Sequence, residues 1–304
     1  MKRDLICLED FSKEEILKLI DLSLKFKKKK GKRLHDLKGK SIGLIFQKPS
    51  NRTRVSFEVG IWQLGGNCIY LGPHEIDLGK RESASDVAQT LSRYLNGIVA
   101  RTFLHRDVID LGKFASVPII NGLSDLYHPC QAMADILSVK EHFGTFEGLT
   151  LAYVGDGNNV CHSLLLACAK VGLNITVATP KGYGPNADIV SSAKNYANET
   201  GANIKVIESP QEAAKGAHII YADVWTSMGQ EEEKSQRLKV FEKYQVNKDL
   251  VSLADKNYIF MHCLPAHRGE EVIDDVIDGK NSIVFDQAEN RMHVQKAILS
   301  FLCK

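Results

Sequence analysis

Residues 41–54 have the sequence SIGLIFQKPSNRTR, which predicts a strand, a polar turn and the start of a helix. Residues 41–46 contain Ile, Leu and Phe but no charge, which is typical of a short buried strand. Pro49 then interrupts the chain, and residues 55–64 have helical apolar spacing. Backbone N–H groups and the positive end of a helix dipole would therefore meet at this turn.

The same turn carries side chains that suit an anion. Ser50, Arg52, Thr53 and Arg54 supply two hydroxyls and two guanidinium groups. A guanidinium is planar, and its N–H groups match the spacing of phosphate oxygens. An isolated Arg-x-Arg pair is usually part of a solvated basic loop, but the strand and the helix around this one favour a phosphate site.

Beyond this turn, short apolar runs alternate with helical patterns. Helices are predicted from a capping box at residues 12–15 onward and at 86–95, 131–143 and 288–302. Strands are predicted at 41–46, 68–71, 98–101, 117–120, 149–154, 175–178, 204–207, 218–221, 258–261 and 282–285, with a turn at Asn121-Gly122. This alternation indicates an α/β fold with parallel sheets, in which ligands bind at the carboxyl ends of the strands.

A chain of 304 residues exceeds a typical single domain, so two domains are expected. We place the boundary within residues 135–150. The first domain would comprise residues 1–140 and the second residues 145–287, and the closing segment 288–304 would pack back on the first. The predicted architecture is two doubly wound parallel-sheet domains with the active site in the cleft between them.

The composition is that of an ordinary soluble protein, with 44% apolar and 25% charged residues. The net charge of +2 gives no overall attraction to nucleic acid or to a membrane. Seven cysteines without a Cys-x-x-Cys pair indicate reduced thiols rather than disulfides or a zinc site. The charged N-terminus is unlike a signal peptide and no apolar run is long enough to span a membrane, so we expect a cytoplasmic protein.

Further polar side chains follow the predicted strands. His128 opens the helix that would join the domains, and Gln131 lies one turn on. A lone histidine is usually structural, but this one lies at the domain junction after the carboxyl end of a strand, where a functional role is as well supported. It could donate a hydrogen bond to an oxygen that gains negative charge. Residues 155–159 (GDGNN) resemble a dinucleotide-binding turn only weakly, because Val160 replaces the third glycine. Their two asparagines could instead hold a zwitterionic small molecule.

Three later positions each allow two interpretations. Asp223 could cap a helix or act as the counter-ion of a cationic ligand. Cys263 could be a nucleophile, although buried inert cysteines are commoner, and the adjacent His262 would point the opposite way in an extended segment. Arg291 could bind an anion or be an exposed helix charge. The first half thus supplies anion ligands, and the second supplies amide, carboxylate and thiol groups.

Together these segments resemble the aspartate/ornithine carbamoyltransferase family along nearly the whole chain. The resemblance rests on residues 50–54, 128–131, 223–229 and 262–265, in this order. It implies that carbamoyl phosphate contacts Ser50, Asn51, Arg52, Thr53, Arg54, Arg101, His128, Gln131, Cys263, Leu264 and Arg291. It implies that ornithine contacts Asn159, Asp223, Ser227 and Met228.

Two positions depart from the usual pattern of the family. Asn51 stands where Thr is usual, which keeps a polar side chain in the turn. Asp77 stands where many members have a Gln that reaches into a neighbouring subunit's site. Its carboxylate would repel a phosphate unless Lys80 or Arg81 screens it, so contact of residue 77 with a ligand stays open.

The resemblance also implies the reaction. The δ-amine of ornithine would attack the carbamoyl carbon to give citrulline and phosphate, with arginine biosynthesis expected and the reverse, catabolic sense open. Arg101, His128, Asp223 and Cys263 would be the catalytic residues: the first two would stabilise the oxyanion, and the last two would orient the amine. Because carbamoyl phosphate is already activated, no metal or organic cofactor is expected. A homotrimer or a multiple of trimers is implied, without nucleic-acid or membrane partners.

Other functions compete with this one. Another carbamoyltransferase could use aspartate or putrescine, although Asp223 and residues 227–229 favour a substrate with an amine and an amino-acid head. A non-catalytic paralogue that senses carbamoyl phosphate or an amino acid would be expected to lack one of the arginine, histidine or cysteine ligands, and all are present. A dehydrogenase is disfavoured by Val160.

Overall fold

The computed structural model describes residues 2–29, 32–76, 78–79, 81–226 and 231–304, without the side chain of residue 231. The strands are β1 (Ser41–Phe46), β2 (Asn67–Leu71), β3 (Gly97–Arg101), β4 (Ile119–Leu123), β5 (Thr150–Val154), β6 (Asn174–Ala178), β7 (Ile204–Ile207), β8 (Ile219–Ala222) and β9 (Ile259–His262). The helices are α1 (Lys13–Lys28), α2 (Asn51–Gln63), α3 (Pro73–Ile76), α4 (Ala84–Leu91), α5 (His105–Phe114), α6 (Pro129–Phe143), α7 (Asn159–Val171), α8 (Ala187–Thr200), α9 (Pro210–Ala214), α10 (Lys234–Phe241), α11 (Lys248–Val251), α12 (Asp274–Ile277) and α13 (Val284–Leu302). Within the described ranges, no helix combines the length and the apolarity needed to cross a membrane.

The first helix begins where the sequence predicts. Ser12 Oγ accepts a hydrogen bond from Glu15 N at 3.3 Å, and Glu15 Oε2 accepts one from Ser12 N at 3.0 Å. This capping box satisfies two backbone N–H groups that the helix itself leaves without acceptors. Ile16, Leu19 and Ile20 follow at helical spacing and are buried.

The strands form two sheets, and every pairing between the named strands is parallel, which confirms the predicted α/β fold class. The strand order is β2-β1-β3-β4 in the first sheet and β7-β6-β5-β8-β9 in the second. The direction of chain progression reverses between β1 and β3 in the first sheet and between β5 and β8 in the second. In open sheets of this type, ligands bind outside the carboxyl ends of the strands at this reversal.

The chain divides into two compact units, and each contains one sheet. The first unit comprises Met1–Leu137 and Asn290–Lys304, and the second comprises Ser138–Glu289. The divisions fall inside α6 and α13, so each of these helices begins in one unit and ends in the other.

Each unit has its own apolar core. In the first, residues of β1, β3 and β4 pack with residues of α4 and α5, among them Ile45, Ile98, Val108, Leu111 and Ile119. In the second, the core includes Ala152, Ile220, Trp225, Phe241 and Phe260. Burying a large apolar side chain contributes roughly 1.5–3 kcal/mol, so each core stabilises the strands whose ends carry the site residues.

The turn predicted at Asn121-Gly122 is wrong, because both residues lie within β4. Asn121 N donates to Leu5 O at 2.8 Å, and Asn121 Nδ2 donates to Ile6 O at 2.9 Å. The N-terminal segment therefore supplies hydrogen-bond partners that extend the strand. This contact joins distant parts of the chain, so the local Asn-Gly turn signal does not reveal it.

The strand predicted at 282–285 is also wrong. Helix α13 begins at Val284, and of these four described residues only Ser282 forms a bridge, to Phe260. Gln287 N donates to Ile283 O at 2.9 Å, so helical hydrogen bonds take over at once. A short apolar run can be a strand or a buried helical segment, and periodicity alone does not separate the two.

Candidate active site

In the first unit, the anion turn and Arg101 lie side by side at the point where the sheet order reverses. Phe46, the last residue of β1, pairs with Arg101, the last residue of β3. Gln47 N then donates to Arg101 O at 2.8 Å, which ties the start of the turn to the end of β3. The Arg101 side chain is buried.

The turn itself caps helix α2. Ser50 Oγ accepts a hydrogen bond from Thr53 N at 3.3 Å, and Asn51 Oδ1 accepts one from Arg52 N at 2.6 Å. Thr53 is buried, and its Oγ1 accepts a hydrogen bond from Arg291 Nη2 at 2.5 Å. The start of a helix, two hydroxyls and guanidinium groups are thereby collected at one place, which suits an anion.

The two arginines of the turn have different surroundings. Arg52 has a buried Nε that meets no hydrogen-bond acceptor among the described residues, and a phosphate oxygen would satisfy it. Arg54 is exposed, and its Nε donates to Glu58 Oε1 at 2.8 Å. The Arg54 guanidinium also lies 3.7 Å from the centre of the Tyr70 ring. Arg54 is therefore engaged by α2 and β2 in this structure.

His128 and Gln131 are both buried at the start of α6. Burial lowers the pKa of His128 well below its ordinary value, and the charges of Arg291 and Arg101 lower it further. The neutral ring can donate one hydrogen bond. Gln131 Nε2 donates to Asp135 Oδ1 at 2.8 Å, whereas Gln131 Oε1 has no partner within the described part of the chain. That oxygen can accept an N–H from a ligand.

In the second unit, β5 and β8 are the strands at the reversal, and a polar side chain follows each. Asn158 Nδ2 donates to Asp223 Oδ2 at 2.7 Å. Asn158 also caps α7, since its Oδ1 accepts from Val160 N at 2.9 Å and from Cys161 N at 3.2 Å. From the sequence, Asn159 was the expected ornithine ligand, and the contact of Asp223 with Asn158 was not predicted. The preference for Asn at the residue before a helix was the signal that indicated its place.

Cys263 follows β9 and brings a thiol to the same carboxylate. Its Sγ donates to Asp223 Oδ1 at 2.9 Å, and this oxygen also accepts from Val224 N at 2.8 Å. Asp223 is buried and Cys263 is half-buried. Leu264, the next residue, has a φ of +56° and precedes Pro265 through a cis peptide bond. The ends of β5, β8 and β9 thus carry an amide, a carboxylate and a thiol in contact, which can bind and orient a cationic amine.

A buried ion pair lies beside these strand ends. Asp156 Oδ2 is 3.1 Å from Arg237 Nη1, and both side chains are buried. Arg237 also donates from Nη1 to Trp225 O at 3.0 Å and from Nε to Glu233 Oε2 at 2.9 Å. Burial raises the pKa of Asp156 to about 6, although the charge of Arg237 opposes the rise. Asp156 lies in the turn at residues 155–159, but its pairing with Arg237 is not visible in the sequence, because the two residues are distant in the chain.

Two clusters of possible metal ligands occur among the described residues. Their members are Asp223, His262 and Cys263 in one cluster and His267, Glu270 and Glu271 in the other, with donor atoms within 4.8 Å of one another. In the first cluster, the thiol–carboxylate hydrogen bond and a 3.2 Å contact from His262 Nε2 to Glu271 Oε1 already occupy the donor groups. In the second, His267 Nδ1 lies 3.7 Å from Glu270 Oε2 and 3.9 Å from Glu271 Oε2, which is ion-pair spacing for a protonated ring.

Some predicted site residues cannot be placed in these contacts. Asp77, Ser227 and Met228 lie outside the described residues. Asn159 is half-buried at the first position of α7, where its backbone O accepts a hydrogen bond from Ser163 Oγ at 3.0 Å. The contacts of Asn159, Ser227 and Met228 with ornithine stay predictions.

Comparison with known proteins matches both units to one family. A family model described as the carbamoyl-P binding domain of aspartate/ornithine carbamoyltransferase matches residues 3–141, and one described as the Asp/Orn binding domain matches residues 147–302. An ornithine carbamoyltransferase of Thermococcus kodakarensis is 54% identical over 303 residues, which are 99% of this chain and 96% of the relative. An anabolic ornithine carbamoyltransferase of Pyrococcus furiosus is 52% identical over 302 residues, which are 99% of this chain and 96% of the relative.

Solved structures give the same result. The ornithine carbamoyltransferase of Pyrococcus furiosus superposes with a TM-score of 0.96 at 52% identity, covering 99% of this chain and 97% of that one. The enzyme of Thermus thermophilus superposes with a TM-score of 0.90 at 44% identity, covering 100% of both chains. On matches of this extent to both of its units, the chain belongs to the aspartate/ornithine carbamoyltransferase family.

Proposed function

We propose that this chain transfers the carbamoyl group of carbamoyl phosphate to the δ-amine of L-ornithine, giving L-citrulline and phosphate. The observation that carries the proposal is the hydrogen bond from Cys263 Sγ to Asp223 Oδ1, beside Asn158. A buried carboxylate with a thiol and an amide suits a substrate that presents an amine. Eight relatives named ornithine carbamoyltransferase are between 52% and 55% identical to this chain over nearly its whole length, which supports the same assignment.

Carbamoyl phosphate binds to the first unit, at the turn after β1. The start of α2 and the Arg52 guanidinium hold the phosphate, because a buried Nε and a helix N-terminus both require an acceptor. The proposed ligands in this unit are Ser50, Asn51, Arg52, Thr53, Arg54, Arg101, His128, Gln131 and Arg291. The further contacts of carbamoyl phosphate with Cys263 and Leu264, and a binding cleft between the domains, stay predictions.

The side chains of the first unit also serve the chemical step. As the amine attacks, the carbamoyl oxygen gains negative charge, which neutral His128 stabilises as a hydrogen-bond donor and Arg101 as a cation. Gln131 Oε1 accepts an N–H of the carbamoyl group and so fixes its orientation. The new bond joins the neutral amine nitrogen to the carbamoyl carbon, and the bond from that carbon to the phosphate oxygen breaks. The departing phosphate takes the proton that the amine loses. Arg52 then holds the departing phosphate.

Ornithine binds to the second unit. Its δ-amine, like a lysine amine, has an ordinary pKa of about 10.4, so only about one molecule in a few thousand is nucleophilic near neutral pH. Burial from water lowers the pKa of an amine, while the hydrogen bonds of Asp223 and Cys263 set its direction of attack. Asn159, Ser227 and Met228 complete the proposed ornithine ligands.

We further propose a homotrimer, or a multiple of trimers, that acts in arginine biosynthesis in the cytoplasm. Helix α2 exposes Val55, Val59 and Trp62 at helical spacing, with 55%, 38% and 60% of their surface accessible. An apolar stripe of this kind suits burial against a second copy of the chain. A relative named as anabolic supports the biosynthetic direction, and cysteines that form no disulfide among the described residues support a reducing compartment.

One assay tests the reaction and the acceptor together. Product formation from carbamoyl phosphate is compared with ornithine, putrescine and aspartate as acceptors. We expect rapid citrulline formation with ornithine, and a large loss of this activity in Asp223→Asn, which keeps the shape but removes the charge. Turnover with aspartate or putrescine in preference to ornithine would contradict the choice of acceptor. Absence of product with all three would contradict the reaction.

A further inference from the structure

The loop that follows β9 carries Cys263 in a conformation that needs support. Leu264 has a φ of +56°, in the left-handed region that residues with a side chain rarely adopt. Backbone of this kind persists only where the surrounding contacts hold it. Leu264 adjoins Cys263, so the same contacts decide where the thiol lies.

His262 supports the loop from its beginning. Its Nδ1 accepts a hydrogen bond from Leu264 N at 2.9 Å, so the proton of the neutral ring is on Nε2. Nε2 lies 3.2 Å from Glu271 Oε1 and donates to it. The backbone N of His262 donates to Gln287 Oε1 at 2.9 Å. The ring is therefore fixed in position and in tautomer.

Glu271 supports the loop from its other end. The same oxygen, Oε1, accepts a hydrogen bond from His267 N at 2.6 Å. The side chains of His262 and Glu271 are 0% exposed, so water does not compete for these contacts. One carboxylate oxygen thus ties residue 262 to residue 267, and Cys263 and Leu264 lie between them.

We propose that Glu271 is a positioning residue for Cys263. By accepting from His262 Nε2 and His267 N, it holds the strained loop in the conformation in which Cys263 Sγ reaches Asp223. The significance of Cys263 rests on the proposed function, whereas the contacts of Glu271 require no substrate. The negative charge of Glu271 is not essential to this role. Both hydrogen bonds are accepted by one oxygen, and a neutral amide also offers one such oxygen.

The second oxygen, Glu271 Oε2, makes it possible to test the positioning role of Glu271 separately from its negative charge. It has no hydrogen-bond partner among the residues that the structure describes, and it lies 3.9 Å from His267 Nδ1. Glu271→Gln keeps a carbonyl oxygen for the two N–H donors and places an amide N–H toward His267. Glu271→Leu keeps the bulk and removes the acceptor. His262→Asn keeps an acceptor for Leu264 N but cannot reach Glu271, so it cuts the link from the other side.

The test measures the thiol directly, in the full-length protein without substrate. Alkylation by iodoacetamide is followed at Cys263 and at Cys68 by peptide mass spectrometry. Cys68 is half-buried in β2 of the other unit and serves as the internal reference. We expect the ratio of the Cys263 rate to the Cys68 rate to rise several-fold in Glu271→Leu and His262→Asn, because the thiol leaves Asp223. The ratio should stay near the wild-type value in Glu271→Gln.

Leu250→Ala controls for a general loss of stability, because Leu250 is buried in α11 of the same unit and lies outside this loop. It should lower the unfolding temperature without changing the alkylation ratio. In parallel, citrulline formation should fall about a hundredfold in Glu271→Leu, as expected when a group that orients the substrate is displaced by about 1 Å. Glu271→Gln should retain most of the activity.

Two results would overturn the proposal. One is an unchanged ratio of the Cys263 alkylation rate to the Cys68 rate in both Glu271→Leu and His262→Asn. If Glu271→Leu does not fold, an unchanged ratio in His262→Asn is enough. The other is an equal rise of the ratio in Leu250→Ala. A wild-type protein that forms no citrulline would contradict the proposed reaction instead, and the alkylation ratio would still test the role of Glu271.

Discussion

Cys263 Sγ donates a hydrogen bond to Asp223 Oδ1 at 2.9 Å, across the ends of the neighbouring strands β9 and β8. A covalent mechanism would need the thiol to attack the carbamoyl carbon and form a carbamoyl-cysteine. An activated donor and an amine nucleophile do not require that intermediate. A thiol that is hydrogen-bonded to a buried carboxylate is placed to orient the amine, and we favour this role.

Cys263→Ser is therefore expected to keep measurable activity. A hydroxyl can still donate to Asp223, but it is smaller and less acidic than a thiol. The apparent Michaelis constant for ornithine should rise and the pH profile of turnover should shift, as steady-state kinetics will show. Cys68→Ser, in β2, serves as the matched control and should leave both unchanged. Detection of a carbamoylated Cys263 by mass spectrometry, after incubation with carbamoyl phosphate alone, would establish the covalent role instead.

Arg52→Ala is expected to abolish nearly all turnover and to weaken the binding of carbamoyl phosphate. A hydrogen bond between charged partners contributes about 1.5–3 kcal/mol, and a desolvated phosphate left without its cation costs more. Arg106→Ala is the control, because Arg106 is exposed on α5 of the same unit and pairs with Asp110. If the folded Arg52→Ala protein had the wild-type Michaelis constant for carbamoyl phosphate, the anion turn would be wrongly assigned.

The buried His128 should make stability depend on pH. Its pKa is lowered in the folded state, so the unfolded chain binds a proton more readily below its own pKa of about 6.5. Above that pH, His128 does not lower the stability of the fold. As the pH falls from there toward the folded pKa, the free energy of unfolding decreases by about 1.4 kcal/mol per pH unit. The urea midpoint of the wild type should therefore fall more steeply between about pH 7 and about pH 5 than that of His128→Gln. Parallel curves for the two proteins would contradict this assignment.

Carbamoyl phosphate is expected to bind before ornithine. The proposed anion ligands lie in the first unit and most of the amine ligands in the second, so closure around the first substrate would complete the site for the second. Closure would also exclude water from an activated acyl donor. Calorimetry should show much tighter ornithine binding in the presence of a phosphonate analogue of carbamoyl phosphate. Equal ornithine affinity with and without the analogue would remove the basis for this order.

Local signals in the sequence determined much of the architecture. The apolar run at residues 41–46 is β1 within the same bounds, and the capping box at Ser12 starts α1. These features form through contacts between residues close in the chain, so periodicity and capping preferences reveal them. The motifs at strand ends were visible for the same reason, because each follows its strand directly.

Only the tertiary structure decided which of these ends meet. The order β7-β6-β5-β8-β9 places Asp223 beside Asn158 on one side and beside Cys263 on the other, and no local pattern encodes that order. The buried contacts of Glu271 and the engagement of Arg54 by Glu58 and Tyr70 also depend on packing. The physical reason is that contacts between distant parts of the chain form only once the core fixes the strand positions, whereas the residue types at those positions are already set by the sequence.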